Sequence, residues 1–386
     1  MRVGVDATSW SNRRGYGRFA RNAVGRLVDL DAGTRYVFFV AAEEEAALEL
    51  PERAEVRPVR GVRASVDGSS RSSIDLARLT VAASRGGLDA VLFPSVSTYF
   101  PVVGVPSVVG LHDIITRQLP ELALGGTKDR VLWRLKERVA IKRATVLFTV
   151  SKASRRELLQ AVPIAAERIV VVPEAPDPAF RPRQRDEAEA AVAKLGLRLD
   201  EPLVVYAAGL SPHKNVETLV EAFAAISTPA RLVLAGDLDG GPFLSAVSSI
   251  RARICELGVE ERVVLPGFLS DDELACLYSV AAAAVVPSLA EGFGLPAVEA
   301  AACGAATILS DLPAHRETLD GVALFFEPRN RAALTAALER ILTEESTRLD
   351  VGERGREAVS RLSWDASAEA LRDLVSAAAN GRGRRA

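Results

Sequence analysis

AAAAVVPSLAEGFGLPAVE, residues 281–299, is the stretch on which the reading of this chain turns. Small and β-branched residues predict a buried strand over Ala284–Val286, and a polar loop follows from Pro287. Leu295 or Pro296 opens a helix, where proline suits the first turn. A strand passing to a helix through a glycine-bearing loop is half of a βαβ unit. Gly292 and Gly294 permit close backbone approach and positive φ. Their amides, with the helix N-terminus, make a place for anionic oxygen. Seven residues separate Glu291 from Glu299. Carboxylates at these positions suit the diol of a ribose or the hydroxyls of a hexose, since each accepts from two adjacent OH groups. The plainer alternative makes Glu291 a helix cap and Glu299 a solvated helix residue.

The same strand-then-helix pattern extends in both directions. In the first half, strands are predicted at Val3–Asp6, Tyr36–Val40, Val91–Phe93, Ser107–Leu111, Val146–Val150 and Ile169–Val172. Several are continuous apolar runs, as expected of parallel strands covered on both faces. Pro173–Glu187, PEAPDPAFRPRQRDE, reads as a linker or long connection. The pattern restarts at Leu203–Tyr206, Arg231–Ala235, Val263–Leu265, Ala284–Val286, Ala306–Leu309 and Ala323–Phe325. Helices near Arg331–Leu342, Glu345–Ser360 and Trp364–Ala379 close the chain, and the tail GRGRRA is expected to fray. The fold class is α/β, with two doubly wound Rossmann-like domains facing across a cleft. At 386 residues the chain suits two domains.

Composition narrows the setting. Apolar residues are 48% and charged residues 25%, as in soluble enzymes. No apolar run approaches the roughly 20 residues that span a bilayer, and MRVGVDA does not read as a signal peptide. Cys255, Cys276 and Cys303 are too scattered for a disulfide framework or zinc site, and each is expected to be a small core residue. A cytoplasmic location follows. Residues 1–175 carry 26 Lys+Arg against 19 Asp+Glu, and the remainder 22 against 31. Either the first half meets an anionic partner, or the two halves attract each other.

Five further segments follow predicted strands, where ligands bind in such sheets. AAGLSPHKN (Ala207–Asn215) contains Lys214, one of six lysines against 42 arginines. A lysine in so arginine-rich a chain suggests a need for a point charge. GLHDI (Gly110–Ile114) holds His112, one of three histidines; the local alternative is a satisfied histidine at a strand end. Asp113 either holds a hydroxyl or caps. RRGYGRFA (Arg13–Ala20) formally fits the dinucleotide fingerprint. It stands too far beyond the first strand, however, and lacks a clear strand-end acid about 20 residues on. VSKASRRE puts Ser151 at a helix N-cap. In SDLPAHRE, His315 and Glu317 read as local hydrogen-bond partners.

P-S-L-A-E-G-F-G-L-P-A-V-E resembles the EX7E motif of retaining glycosyltransferases of the GT-B fold, in the large family 4 (group 1 type). The resemblance spans nearly the whole chain, with 1–175 as an acceptor-side domain and 176–363 as the nucleotide-sugar domain. Residues 364–386 would form a last helix crossing back to the first domain, with a frayed tail. It implies that Glu299 holds the ribose and Glu291 the donor sugar, with Gly292, Phe293, Gly294 and Leu295 beside sugar and phosphates. Lys214 would neutralise the diphosphate, His112 would face the sugar, and the loop with Gly15, Gly17 and Arg18 would touch the diphosphate. His112, Lys214 and Glu291 are then the catalytic candidates. Many members place an arginine at the position of Leu210, so His213 or Arg18 is expected to supply the second cation.

The activity implied is retaining transfer of a hexose from a nucleotide diphosphate sugar to a hydroxyl of a glycan, lipid-linked or small-molecule acceptor. Polysaccharide biosynthesis is the setting. GDP-mannose is the first expectation for the donor, on family frequency. A nucleotide-sugar epimerase of the same fold and an NAD-dependent dehydrogenase using GYGRFA are the alternatives. No cofactor and no metal are expected, since no D-x-D cluster is present, and no nucleic-acid partner. Residues 128–143, KDRVLWRLKERVAIKR, carry seven cations and two anions, with Val131, Leu132, Leu135 and Val139 on one helical face. They either contact anionic lipid peripherally at the inner face of the membrane or pack against the core with a basic outer face.

Overall fold

The computed structural model describes residues 1–12, 15–62, 72–238 and 244–381. Arg13 and Arg14 of the glycine-rich loop, and residues 382–386 of the GRGRRA tail, lie outside that set. The chain divides into two compact units. One comprises Met1–Gln118, Leu124–Glu174 and Ser363–Ala386; the other comprises Leu119–Ala123 and Ala175–Leu362.

The first unit holds seven parallel strands: β1 (Arg2–Asp6), β2 (Arg35–Ala41), β3 (Glu55–Val59), β4 (Ala90–Phe93), β5 (Ser107–Gly110), β6 (Val146–Thr149) and β7 (Ile169–Val171). Their order is β3-β2-β1-β4-β5-β6-β7. Val3, Val5, Phe38, Phe39 and Leu92 are fully buried, as strands covered on both faces require. The edge strand β3 was not legible in the sequence. Its EVRPV carries two charges and Pro58, which an edge tolerates because it need not donate to a further neighbour. The closing helix Trp364–Ala379 belongs to this unit. Ser367 Oγ donates to the Pro173 carbonyl at 2.5 Å, Trp364 meets Phe19 edge-on, and Arg26 pairs with Asp365.

The second unit holds six parallel strands: β8 (Leu203–Ala207), β9 (Arg231–Ala235), β10 (Val263–Gly267), β11 (Ala283–Val286), β12 (Thr307–Ser310) and β13 (Leu324–Phe326). The order is β10-β9-β8-β11-β12-β13. Both sheets therefore run outward in two directions from a central pair, β1/β4 and β8/β11. Crevices at such reversals, outside the carboxyl ends of the strands, are where ligands bind in open α/β sheets.

Two expectations need correction. The stretch Pro173–Glu187 is not linker throughout, because a helix begins at Arg185. Arg183 ties it to the helix Asp271–Val280 through Asp272 at 2.5 Å and the Ser279 hydroxyl at 3.0 Å. Cys276 and Cys303 are buried, but Cys255 is exposed near the C-terminal end of the helix Val247–Glu256.

Candidate functional site

The β8/β11 reversal brings two of the quoted segments together. After β8 the chain turns through Gly209, whose carbonyl accepts from the buried Tyr206 hydroxyl at 2.7 Å. A short 3-10 turn, Pro212–Lys214, ends at Asn215 in the left-handed region (φ 58°). Asparagine enters that region more readily than most residues. The Asn215 amide donates to the carbonyls of Pro287 (3.0 Å) and Pro328 (2.8 Å), and its oxygen accepts from Thr218 (2.8 Å). Leu289 N donates to the His213 carbonyl at 2.8 Å. Loops after β8, β11 and β13 are thus fastened to one another.

This arrangement sets Lys214 Nζ 2.7 Å from Glu291 Oε1, with the side chains 15% and 8% exposed. Ser288 Oγ donates to the same oxygen at 2.7 Å. Burial pushes the Glu291 carboxyl up, but the Lys214 ammonium, the Ser288 hydroxyl and, at the low pH where this carboxyl titrates, a protonated His315 outweigh it and hold it down to about 2. Glu291 is therefore ionised. Among the described residues both donors fall on Oε1.

The helix Leu295–Ala302 starts at Gly294, whose φ of 94° is left-handed, with no side-chain cap and Pro296 in the first turn. Glu291 is therefore not a helix cap. Glu299 is not solvated either: it is 4% exposed, and burial, with Glu299 nearby as the lesser cause, pushes the Cys303 thiol up to about 12. Phe293 and Leu295 are buried beside Gly292 and Gly294. Gly294 has a second constraint, since a Cβ there would lie 2.8 Å from His315 Cδ2.

In the first unit, His112 follows β5. Its Nε2 lies 2.8 Å from the Pro94 carbonyl, so Nε2 carries the proton and donates. The ring meets Phe19 edge-on at 4.8 Å, and Nδ1 lies 3.9 Å from the buried carboxylate of Glu174. Burial pushes His112 down to about 4, which makes it a neutral imidazole near pH 7. Asp113 caps locally, accepting from Ile115 N at 2.9 Å, and Ser151 accepts from Ser154 N at 2.9 Å.

Gly15–Phe19 is helical and continues through a widened π turn, Ala20–Val24. A Cβ on Gly17 would fall 2.0 Å from the Asn12 carbonyl oxygen, so this glycine is needed where the helix meets the preceding loop. Arg18 lies on that helix, and its carbonyl accepts from Asn22 at 3.2 Å. A dinucleotide fingerprint turns directly out of the first strand. Here the glycines lie inside a helix that starts well beyond Asp6.

Sequence reasoning missed His315. The sequence predicts a local partner, and its Nδ1 does donate to the Ser310 carbonyl at 2.8 Å. Its ring also underlies Gly294 and is within electrostatic reach of Glu291 and Lys214. The available signal was its place just after β12, the strand next to β11.

The helix Thr127–Arg143 also departs from one alternative. Trp133, Glu137, Ala140 and Ile141 face the core, with Glu137 paired to Arg117 at 2.6 Å. Val131, Leu132 and Leu135 are 59%, 50% and 57% exposed. These three do not pack against the core; Val139 does.

A family model described as Glycosyl transferases group 1 matches residues 187–358, and one described as Glycosyltransferase Family 4 matches residues 13–180. The chain belongs to this family of glycosyltransferases, with the GT-B fold. It is similar to the serotype-specific mannosyltransferase WbdA of Escherichia coli, 26% identical over 279 residues, which are 70% of this chain and 33% of that protein. The chain thus spans about a third of that relative's length. It is 32% identical over 282 residues to the MMP alpha-(1->4)-mannosyltransferase of Mycolicibacterium hassiacum, covering 69% and 64% of the two chains. Among solved structures, Anabaena Alr3699/HepE in complex with UDP-glucose superposes with a TM-score of 0.77 at 18% identity, over 97% and 99% of the chains.

Proposed function

We propose that this chain transfers a hexose, with retention, from a nucleotide diphosphate sugar to a hydroxyl acceptor. The observation that carries this reading is the largely buried Lys214–Glu291 pair, fastened beside Gly292–Gly294 at the β8/β11 reversal. A departing diphosphate needs positive charge as its bond to C1 breaks, and a preorganised ammonium supplies it without reorganisation. Lys214 takes that role. Glu291 Oε2 accepts from a hydroxyl of the sugar, Glu299 holds the ribose, and the amides of Gly292, Phe293 and Gly294 lie beside sugar and phosphates. Leu295 lines the same turn. The leaving phosphate oxygen takes the acceptor proton on the same face, so no separate base is assigned, and a neutral His112 fits that scheme. Gly15, Gly17 and Arg18 keep the roles the resemblance gives them, and His213 stands as the candidate second cation.

Mannose from GDP-mannose is the proposed donor, supported by relatives named as mannosyltransferases. The UDP-glucose complex of the Anabaena protein makes a uridine nucleotide the alternative. The acceptor is proposed to be a glycan, in line with a relative named as an O-antigen chain mannosyltransferase, and a lipid-linked one suits the helix Thr127–Arg143. Its exposed Val131, Leu132 and Leu135 among Lys and Arg suit peripheral contact with anionic lipid. Among the described residues no helix is long and apolar enough to cross a membrane. No metal or cofactor is assigned a role.

A thermal-shift panel of GDP-, UDP-, dTDP- and ADP-sugars tests the reading. A ligand at about 100 times its dissociation constant adds about 2.7 kcal/mol, so the correct nucleotide stands out. Stabilisation by none of the four sinks it.

A further inference from the structure

His315 is fully buried in the helix Pro313–Leu319, directly after β12. Its Nδ1–H is committed to the Ser310 carbonyl at 2.8 Å, whereas Nε2 has no hydrogen-bond partner. One ring edge fills the space that a side chain on residue 294 would need, with Nε2 3.2 Å from that Cβ position. The charges that reach the ring come from two other loops: Glu291 after β11 and Lys214 after β8. On its own helix, Arg316 is engaged by Asp311 and Asp320, both at 2.7 Å.

The ligand-free site is balanced, because the carboxylate and the ammonium neutralise each other at 2.7 Å. A diphosphate at Lys214 upsets that balance. It brings negative charge and draws the ammonium partly away from Glu291. Nε2 is the one position on the ring where a proton can be added without breaking an existing hydrogen bond.

We propose that His315 is a positioning residue that takes up one proton at Nε2 when a nucleotide diphosphate sugar engages Lys214. The imidazolium then compensates the added charge and keeps Glu291 and the Gly294 turn in place. The proton comes from solvent, the imidazole becomes an imidazolium, and no bond to the substrate forms or breaks. This rests on the donor-site reading above.

Calorimetric titration with GDP-mannose and UDP-glucose, in buffers of different ionisation enthalpy near pH 6.5, measures the proton directly. These probes suit because their diphosphate diester has no group titrating near neutrality. Uptake approaching one proton is expected, with affinity falling by up to about tenfold per pH unit as pH rises through the window above the free imidazole's value. His315→Asn keeps a donor for the Ser310 carbonyl but removes Nε2, so it should bind with no proton uptake and a flat pH profile. His315→Gln, which keeps an amide nearer the Nε2 position, is the second variant and should behave alike. Binding without uptake by the native protein, or unchanged uptake in both variants, overturns this proposal alone. If neither probe binds at any pH, the donor reading falls and this proposal with it.

Discussion

Replacing Lys214 by methionine keeps the aliphatic stem and removes the ammonium that Glu291 depends on. Glu291 sits at about 2 against an ordinary 4.5. That displacement corresponds to about 3 kcal/mol of folded-state preference for the ionised form. Little is lost to solvent screening, since the side chain is 8% exposed. The folded value lies below the unfolded one, so the contribution is present above about pH 4.5 and disappears as pH falls towards 2. With Lys214→Met, a buried carboxylate remains with Ser288 as its described donor. Breaking such a pair by removing one partner costs about 3–5 kcal/mol. At about 2–4 °C per kcal/mol for a unit of this size, its melting temperature should fall by about 6–20 °C at pH 7. Differential scanning calorimetry reads this, and salt should change the difference little because the pair is largely buried, at 15% and 8% side-chain exposure. Adding Glu291→Gln to Lys214→Met removes the stranded charge and should restore most of the loss. A single variant that melts with the native protein, or a double variant no better than the single, would refute the reasoning.

Three further outcomes are expected. Glu299→Gln should weaken nucleotide binding by about 1–3 kcal/mol through a lost charged hydrogen bond, measured by calorimetric titration; unchanged affinity removes the ribose role. Gly294→Ala places a Cβ at left-handed φ and 2.8 Å from His315 Cδ2. It should lower stability by about 1–3 kcal/mol in thermal melts, and an unaffected melt would show that the turn relaxes freely. Liposomes containing anionic lipid should float the protein in low salt, and Val131→Ser with Leu132→Ser and Leu135→Ser should abolish flotation. A protein that never floats has no such contact.

Both sheets except β3 were legible because a strand buried on both faces needs an unbroken apolar run, and runs such as Val91–Phe93 and Leu203–Tyr206 announce themselves. At the edge that requirement lapses, so EVRPV gave no signal. The Glu291–Glu299 segment was legible because a close backbone approach requires glycine at fixed places, and Gly294 proves to need it twice over. His315 was not, because its relation to Gly294 arises from β12 lying beside β11, a matter of sheet order rather than spacing. The outward apolar face of Thr127–Arg143 was equally hidden. Helical periodicity shows that Val131, Leu132 and Leu135 cluster, but not which side of the helix the core lies on.

Leu210 sharpens the electrostatic question. Many family members carry an arginine there. In this chain the side chain is 4% exposed within the same apolar cluster as Tyr206, Leu234 and Ala246, and its carbonyl accepts from Ala246 N at 2.8 Å. A guanidinium would have to leave that cluster to serve a ligand. Lys214 is itself neutralised by Glu291 until something draws it away. A second fixed positive element at this turn, among the described residues, is the amide end of Leu295–Ala302, equivalent to roughly half a charge. A diphosphate diester brings about two negative charges, more than Lys214 and that amide end supply together at this turn. His213 lies on the turn carrying Lys214, where its carbonyl is held by Leu289 N, and it would add charge only if protonated. On the proposal made for His315, the missing charge is supplied at Nε2, and only while the ligand is present. A permanent arginine would leave the empty site positively charged and compete with Lys214 for Glu291. An imidazole held neutral by burial does neither, which gives a physical reason why this chain tolerates leucine at position 210.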